Sequence, residues 1–324
     1  MSDVEDQMNN DMKKANGKFA QFVDRMVEGK APIPTDMETM IWHYKQLLDT
    51  EKEFEYKISL IVRKEPIFRN YLSHIKGIGP VFAGNLLTID VEKFKNISKL
   101  WAYAGYSSVH YENVCEKGHK FMTTGEYEKC PVRSLDEDTG EYKECGAKVV
   151  EKTFVNEPMR RKRGWVVIQN KRLKMTMWKI SDSFVKQKNS YYRDIYEKEK
   201  AIQMAKEGMT KMHAHLRAKR KVSKIFLANY WLVYRQELGL PISDPYPVAQ
   251  MGRSLDPPTT DDHTREFLTY KYTDQEKAEM VIRREGLDQT IRSFYAHQKL
   301  RIQTYNRVVD YVATKVKEGV LKIE

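Results

Sequence analysis

The sequence predicts a mainly α-helical fold: a helical bundle with long helical arms, interrupted by one small β segment. Three observations predict it. Apolar residues recur at three- and four-residue spacing through most of the 324 residues. Segments suited to short strands, KFMTTGEYEKC and EYKECGAKVVEKTF, fall within residues 109–156, which also hold all three cysteines. A mean hydropathy of −0.67 with 31% charged residues suits helices with long solvated faces.

The helical pattern begins in the arm, residues 1–74. Phe19, Phe22, Val23 and Met26 form a first short stripe, and GKAPIPT then breaks the helix, with Thr35 as a candidate cap. From Asp36 to Val62 the apolar positions Met40, Ile41, Tyr44, Leu47, Leu48, Phe54, Ile58 and Ile61 predict an amphipathic helix of about 25 residues. Such a helix forms either a coiled coil with a second copy or a hairpin with a later helix of the same chain. Pro66 opens the next helix, which carries Ile67, Phe68, Tyr71, Leu72 and Ile75 into the sequence KGIGP.

Residues 75–108 read as a helix-hairpin-helix. Gly77 and Gly79 allow a tight turn, and Pro80 suits the first turn of the helix that follows. The amides of such a turn, Lys76, Gly77, Ile78 and Gly79, face one way and can cradle a phosphate. Val81, Phe82, Leu86, Leu87 and Ile89 make the apolar face of the second helix. Ser98 is a candidate cap for a short third helix that stops at Gly105.

The string IKGIGPVFAGNLLTIDVEKFKNISKLWAYAGYS, and after an insertion KRGWVVIQNKRLKMTMWKISDSF, resemble the C-terminal domain of IS110/IS116/IS902-type transposases. The two blocks stand in that family's order and cover about a third of the chain. The resemblance implies a DNA-contacting hairpin and a serine nucleophile soon after Tyr103–Gly105, for which Ser107 and Ser108 are the candidates. It also implies a RuvC-like nuclease domain with four acidic metal ligands ahead of the arm. Here about 75 residues precede the hairpin, their pattern is helical, and neither serine is followed by glycine. The expectation is therefore the DNA-binding scaffold without the nuclease.

The insertion, residues 109–156, concentrates the metal-binding chemistry. Cys115, Cys130 and Cys145 lie within 31 residues, and His119 is four residues beyond Cys115. Three thiolates and one imidazole make a closed tetrahedral set for structural zinc, with His110 as a substitute ligand. The intervening segments are polar and need a staple, so the segment is expected to be zinc-ribbon-like.

Formal net charge is +11 with a pI near 9.2, which favours a polyanionic partner. The charge is uneven: residues 151–235 hold 22 Lys and Arg against 7 Asp and Glu, and the remainder is net negative. Within the basic helical domain, 157–240, the expected phosphate contacts are Arg160, Arg161, Lys162, Arg163, Lys171, Arg172, Lys174, Arg217, Lys219, Arg220 and Lys221. One helix is predicted from Leu173 through Ile195, and another over 216–238 with Arg217, Lys219, Arg220, Lys221 and Lys224 on its solvent side. Residues 241–262 hold five prolines and read as a linker. Residues 263–324 predict one helix over 273–286, capped by Thr273 or Asp274, and a second from Leu287 to Val316.

The polar start, MSDVEDQMNNDMKK, and the lack of eighteen consecutive apolar residues exclude a signal peptide and a membrane span. Few cysteines point to a reducing compartment, cytoplasmic or nucleoid-associated. The expected function is non-catalytic binding of double-stranded or branched DNA, with the arms supporting a homodimer. The alternatives are an active serine-dependent recombinase and an RNA- or protein-binding structural factor.

Overall fold

The computed structural model describes residues 17–135, 141–243, 261 and 270–322. The proline-rich linker lies largely outside them. In chain order the helices are α1 (17–27), α2 (Glu38–Val62), α3 (Pro66–Asn70), α4 (Pro80–Leu87) and α5 (Ile97–Tyr103). Six short strands follow: β1 (His110–Cys115), β2 (Lys120–Thr123), β3 (Arg133–Leu135), β4 (Tyr142–Glu144), β5 (Val149–Val155) and β6 (Trp165–Val167). Then come α6 (Lys171–Lys186), α7 (Tyr191–Met204), α8 (Lys211–Glu237) and α9 (Asp274–Lys317). No described helix is long and apolar enough to cross a membrane.

The chain divides into two compact units, the first from Met1–Ile61 with Glu285–Glu324 and the second from Val62–Arg284. In the first, α2 finds its partner in the same chain. Val23, Met26, Met37 and Ile41 are buried with Val308 and Val312 of α9. Polar contacts continue along the same pairing: His297 Nε2 lies 2.7 Å from the Leu47 carbonyl, and Arg301 donates to the Tyr44 hydroxyl at 3.1 Å. Thr35 makes no cap, because residues 35–37 form a single 3-10 turn before α2 begins.

α9 runs unbroken where two helices were expected. Gly286 lies in its middle with nothing near the place a Cβ would take. One exposed helical glycine costs only about 1 kcal/mol, too little to break a helix packed along its length. Its start is a capping box. The Thr273 hydroxyl accepts from the Glu276 amide at 3.2 Å, and the Glu276 carboxylate accepts from the Thr273 amide at 2.9 Å.

In the second unit α8 is the spine, packed against α3, α5, α6 and α7. Its core is aromatic. Phe184 of α6 stacks on Tyr192 of α7 at 4.6 Å, and Phe226 meets both edge-on. Several of its buried polar groups are paired: Asn229 donates to the Tyr192 hydroxyl, Tyr230 to the Leu86 carbonyl and Trp231 to the Phe94 carbonyl. The single helix predicted from Leu173 to Ile195 is two. α6 ends at Lys186, where Gln187 turns extended, and Asn189 at a left-handed φ of 52° leads the chain into Ser190, which opens α7. The short α5 is capped by Asn96, which accepts from the Lys99 amide at 3.0 Å, and not by Ser98.

Glu237, at the C-terminal end of α8, is 1% exposed. Burial pushes its carboxyl up to about 8, helped by the nearby Glu276 and Glu65 carboxylates and only partly opposed by Asn70. The folded state therefore holds this proton more tightly than the unfolded chain does. Its contribution to stability is complete below about pH 4.5 and is lost as pH rises through about 8. Glu237→Gln, which cannot ionise, should gain on the wild type across that window by at most about 5 kcal/mol. Paired thermal unfolding at pH 4.5 and 8.5 measures it, and an equal difference at both values would contradict the assignment.

Candidate metal centre and cationic cleft

Four chemistry-bearing side chains meet in the inserted β segment. The ligand atoms of Cys115, His119, Cys130 and Cys145 all lie within 4.8 Å of one another, and His119 Nδ1 is 3.7 Å from Cys130 Sγ. Tetrahedral bonds of about 2.3 Å to sulfur and 2.0 Å to nitrogen imply donor separations of roughly 3.5–3.8 Å, so the set fits a metal ion. His110 is not among the four: its ring pairs with the Glu157 carbonyl and the Glu112 carboxylate.

Two turns build the cluster. The 115–119 turn joins β1 to β2, with Gly118 at φ 78° and its amide donating to the Cys115 carbonyl. Opposite, Gly146 at φ 64° lets its amide reach the Cys130 carbonyl, while the Cys145 amide donates to Val132. Apolar support is thin. Cys115, Phe121, Cys130 and Val132 are the buried set, and β4 and β5 are largely exposed. Burial pushes the Cys130 thiol up to about 12. Burial also opposes ionisation of Cys115, but hydrogen bonds from the His119 and Lys117 amides and from the other thiols outweigh it and lower that thiol. Adjacent thiols cannot all ionise without a cation between them.

The β segment also places the start of α6. Its sheet runs β5-β1-β2-β6, with β6 parallel to β2 and the other pairs antiparallel. Immediately after β6, the Ile168 amide donates to the Met122 carbonyl and the Asn170 amide to Tyr103 at the end of α5. Asn170 then caps α6 by accepting from the Leu173 amide at 2.8 Å.

At the hairpin, Gly77 has φ 94° and a Cβ there would fall 2.7 Å from Ser183 Oγ, so this glycine packs against α6. Ile78 is buried, while Gly79 opens α4 with free space around it. The Lys76 amide is already engaged. It donates to Asp261 Oδ2 at 2.6 Å, and the Tyr191 amide at the start of α7 donates to Oδ1 at 2.7 Å. Asp261→Ala should lower unfolding free energy by about 1–3 kcal/mol, the range for hydrogen bonds to a charged group. Denaturant unfolding tests this, and an unchanged midpoint would contradict it.

The basic residues do not form one solvated face. Lys219 is 4% exposed, and its ammonium lies 3.0 Å from the centre of the Trp178 ring and 3.1 Å from Asp182 Oδ1. Arg220 donates to the Tyr106 and Ser107 carbonyls at 2.9 and 2.8 Å. Lys224 lies 4.2 Å over the Trp101 ring. The expectation of a solvent-facing row fails here because α8 is buried on several faces and the long cationic stems lie along its aromatic neighbours. Lys221 instead pairs with Glu199 at 2.5 Å, Arg217 with Gln203, and Lys162 with Glu112.

What the fold brings together is a cleft of about 480 Å³ between α6 and α8, lined by Arg161, Lys171, Lys174, Lys219 and Arg220 with Tyr106, Gln169 and Trp178. Lys171, Arg172 and Lys174 occupy the first turn of α6, where the helix dipole disfavours cations. Burial lowers the proton affinity of Lys174, and the neighbouring Arg220 and Arg161 lower it further. Lys224, buried beside Arg220, falls to about 8. Among the described residues Asp182 is the one carboxylate paired with a lining cation. An anion in the cleft would relieve this repulsion.

Arg160 and Arg163 are exposed in the loop before β6, and Arg172 donates to the Thr88 hydroxyl. The Ser107 hydroxyl is spent locally on the Val109 carbonyl and amide. No imidazole or carboxylate among the described residues hydrogen-bonds it. Tyr106, Gln169, Trp178 and Ser223 were not foreseen as cleft residues, and only the aromatic character of the basic half hinted at them. Comparison with protein families, with characterised proteins and with solved structures finds no match to this chain.

Proposed function

We propose that this protein is a non-catalytic DNA-binding protein that holds the phosphate backbone of double-stranded or branched DNA at the cationic cleft. The observation that carries the reading is the convergence of Arg161, Lys171, Lys174 and Arg220 on one cleft with no carboxylate among the described residues paired to any of them. Cations on a helix N-terminus and in a half-buried cleft cost stability unless an anion is bound there. Backbone phosphates supply that anion without sequence selection. The open first turn of α4 after Gly79 offers a further phosphate contact.

Zinc is the metal that suits three thiolates and one imidazole with no open position, and its role is to hold the ribbon that positions α6. The metal would be held by Cys115, Cys130, Cys145 and His119 and supplies only cross-linking. The resemblance of the hairpin and of residues 162–184 to the transposase C-terminal domain supports an origin in a mobile element.

A gel-shift series with duplex DNA, four-way branched DNA and structured RNA, at two salt concentrations, tests the proposal. The reading expects both DNA forms to bind at low salt more tightly than the RNA. A preference for RNA would transfer the site to that partner, and no shift at low salt would refute it.

A further inference from the structure

The cationic cleft has two chemically different parts. Its floor is cationic: Lys174 is half-buried and, among the described residues, donates to Gln169 Oε1 at 3.3 Å, and Arg220 uses one terminal nitrogen on two backbone carbonyls. Its lip is apolar. Trp178, Met175 and Leu216 are 42%, 42% and 46% exposed there, an unusual group of large apolar side chains beside so many charges. Lys219 covers one face of Trp178 and leaves ring surface open toward the cleft.

A duplex presents its phosphates on a convex rail, which exposed cations meet easily. Such a rail meets the cations of the floor but brings no apolar group to the lip. A single nucleotide turned out of its stack matches both parts, with an anionic phosphate at one end and a flat apolar base at the other. A volume of about 480 Å³ lies within the range of small-ligand pockets.

We propose that this cleft seats one unstacked nucleotide of a DNA strand, its phosphate on Lys174 and Arg220 and its base against Trp178 and Met175. The inference rests on the DNA-binding reading and names the part of DNA that the site takes. Strand ends, junction centres and unpaired segments supply such a nucleotide, whereas a continuous duplex must first unstack one.

The test compares three ligands by fluorescence anisotropy with the full chain: a single-stranded 12-mer, an abasic strand of the same length with every phosphate kept, and a 12-base-pair duplex. The single strand is expected to bind about 10-fold more tightly than the abasic strand, the usual gain from stacking one base on an aromatic ring. Trp178→Leu should abolish that preference. Met175→Ala, a change at an exposed position that the fold tolerates, should reduce it if the leucine variant does not fold. Lys174→Gln should weaken all three ligands. Equal binding of the normal and abasic strands overturns the nucleotide seat while leaving the DNA-binding reading in place. Failure of all three ligands to bind overturns both.

Discussion

Cys130→Ser is expected to release one equivalent of metal per chain and to unfold the β ribbon. Structural zinc contributes about 10–16 kcal/mol of apparent binding free energy in small domains, and a serine cannot replace a thiolate ligand. The ribbon has little to compensate with, since its buried apolar set is essentially Phe121 and Val132 beside the cysteines themselves. Hydrogen exchange should show the Cys130, Cys145 and Gly146 amides losing protection by several orders of magnitude. The amides around Trp231 and Tyr234 of α8 should stay protected, because these side chains bond Phe94 and Met280, both outside the insertion. Metal content would fall from one to zero. A wild-type protein that holds no zinc at unit stoichiometry would contradict the centre outright.

The second large effect concerns the cleft. Lys174→Gln combined with Arg220→Gln should weaken duplex DNA binding by roughly 100-fold at low salt. It should also reduce the magnitude of the salt slope by about 1, for the one phosphate the two side chains share. Because β6 leads into Asn170 and the first turn of α6, the metal-free protein should show a milder form of the same loss. By contrast Lys221→Gln, which removes a cation already paired with Glu199, should change affinity by less than about 3-fold. A uniform response to all three substitutions would mean that net charge, and not the cleft, drives binding.

The metal cluster was the most legible feature in the sequence. Its cysteines are the only three in the chain, and His119 sits at a turn spacing from the first of them. The spacing already favours His119 over His110, and the structure agrees, since β1 carries His110 to the far end of the strand from Cys115. Helix positions were legible wherever one apolar stripe faced one core, as in α2. They failed over 187–190, where an extended Gln187 and a left-handed Asn189 divide a continuous apolar pattern into α6 and α7.

The cleft was half legible. Charge counting placed the cations in residues 151–235, but α8 buries residues on several faces, so periodicity did not separate its cationic side from its core. Lys219 and Lys224 therefore read as solvated when they lie against Trp178 and Trp101. The hairpin shows the limit of local reasoning most clearly. The Gly77–Pro80 motif does open α4, but the helix begun by Pro66 stops at Asn70, and a 3-10 turn over Leu72–His74 stands between it and the motif. The carboxylate that occupies its first amide, Asp261, is 185 residues away and no local pattern points to it.

The most direct test of DNA binding at the cleft is the salt dependence of affinity for a short duplex, measured for the wild type and for the Lys174→Gln, Arg220→Gln double variant. The prediction is a steep linear fall of log affinity with log salt for the wild type, and for the double variant a slope shallower by about 1 with weaker binding throughout. Parallel lines of equal slope and equal affinity would show that these cations do not touch the backbone.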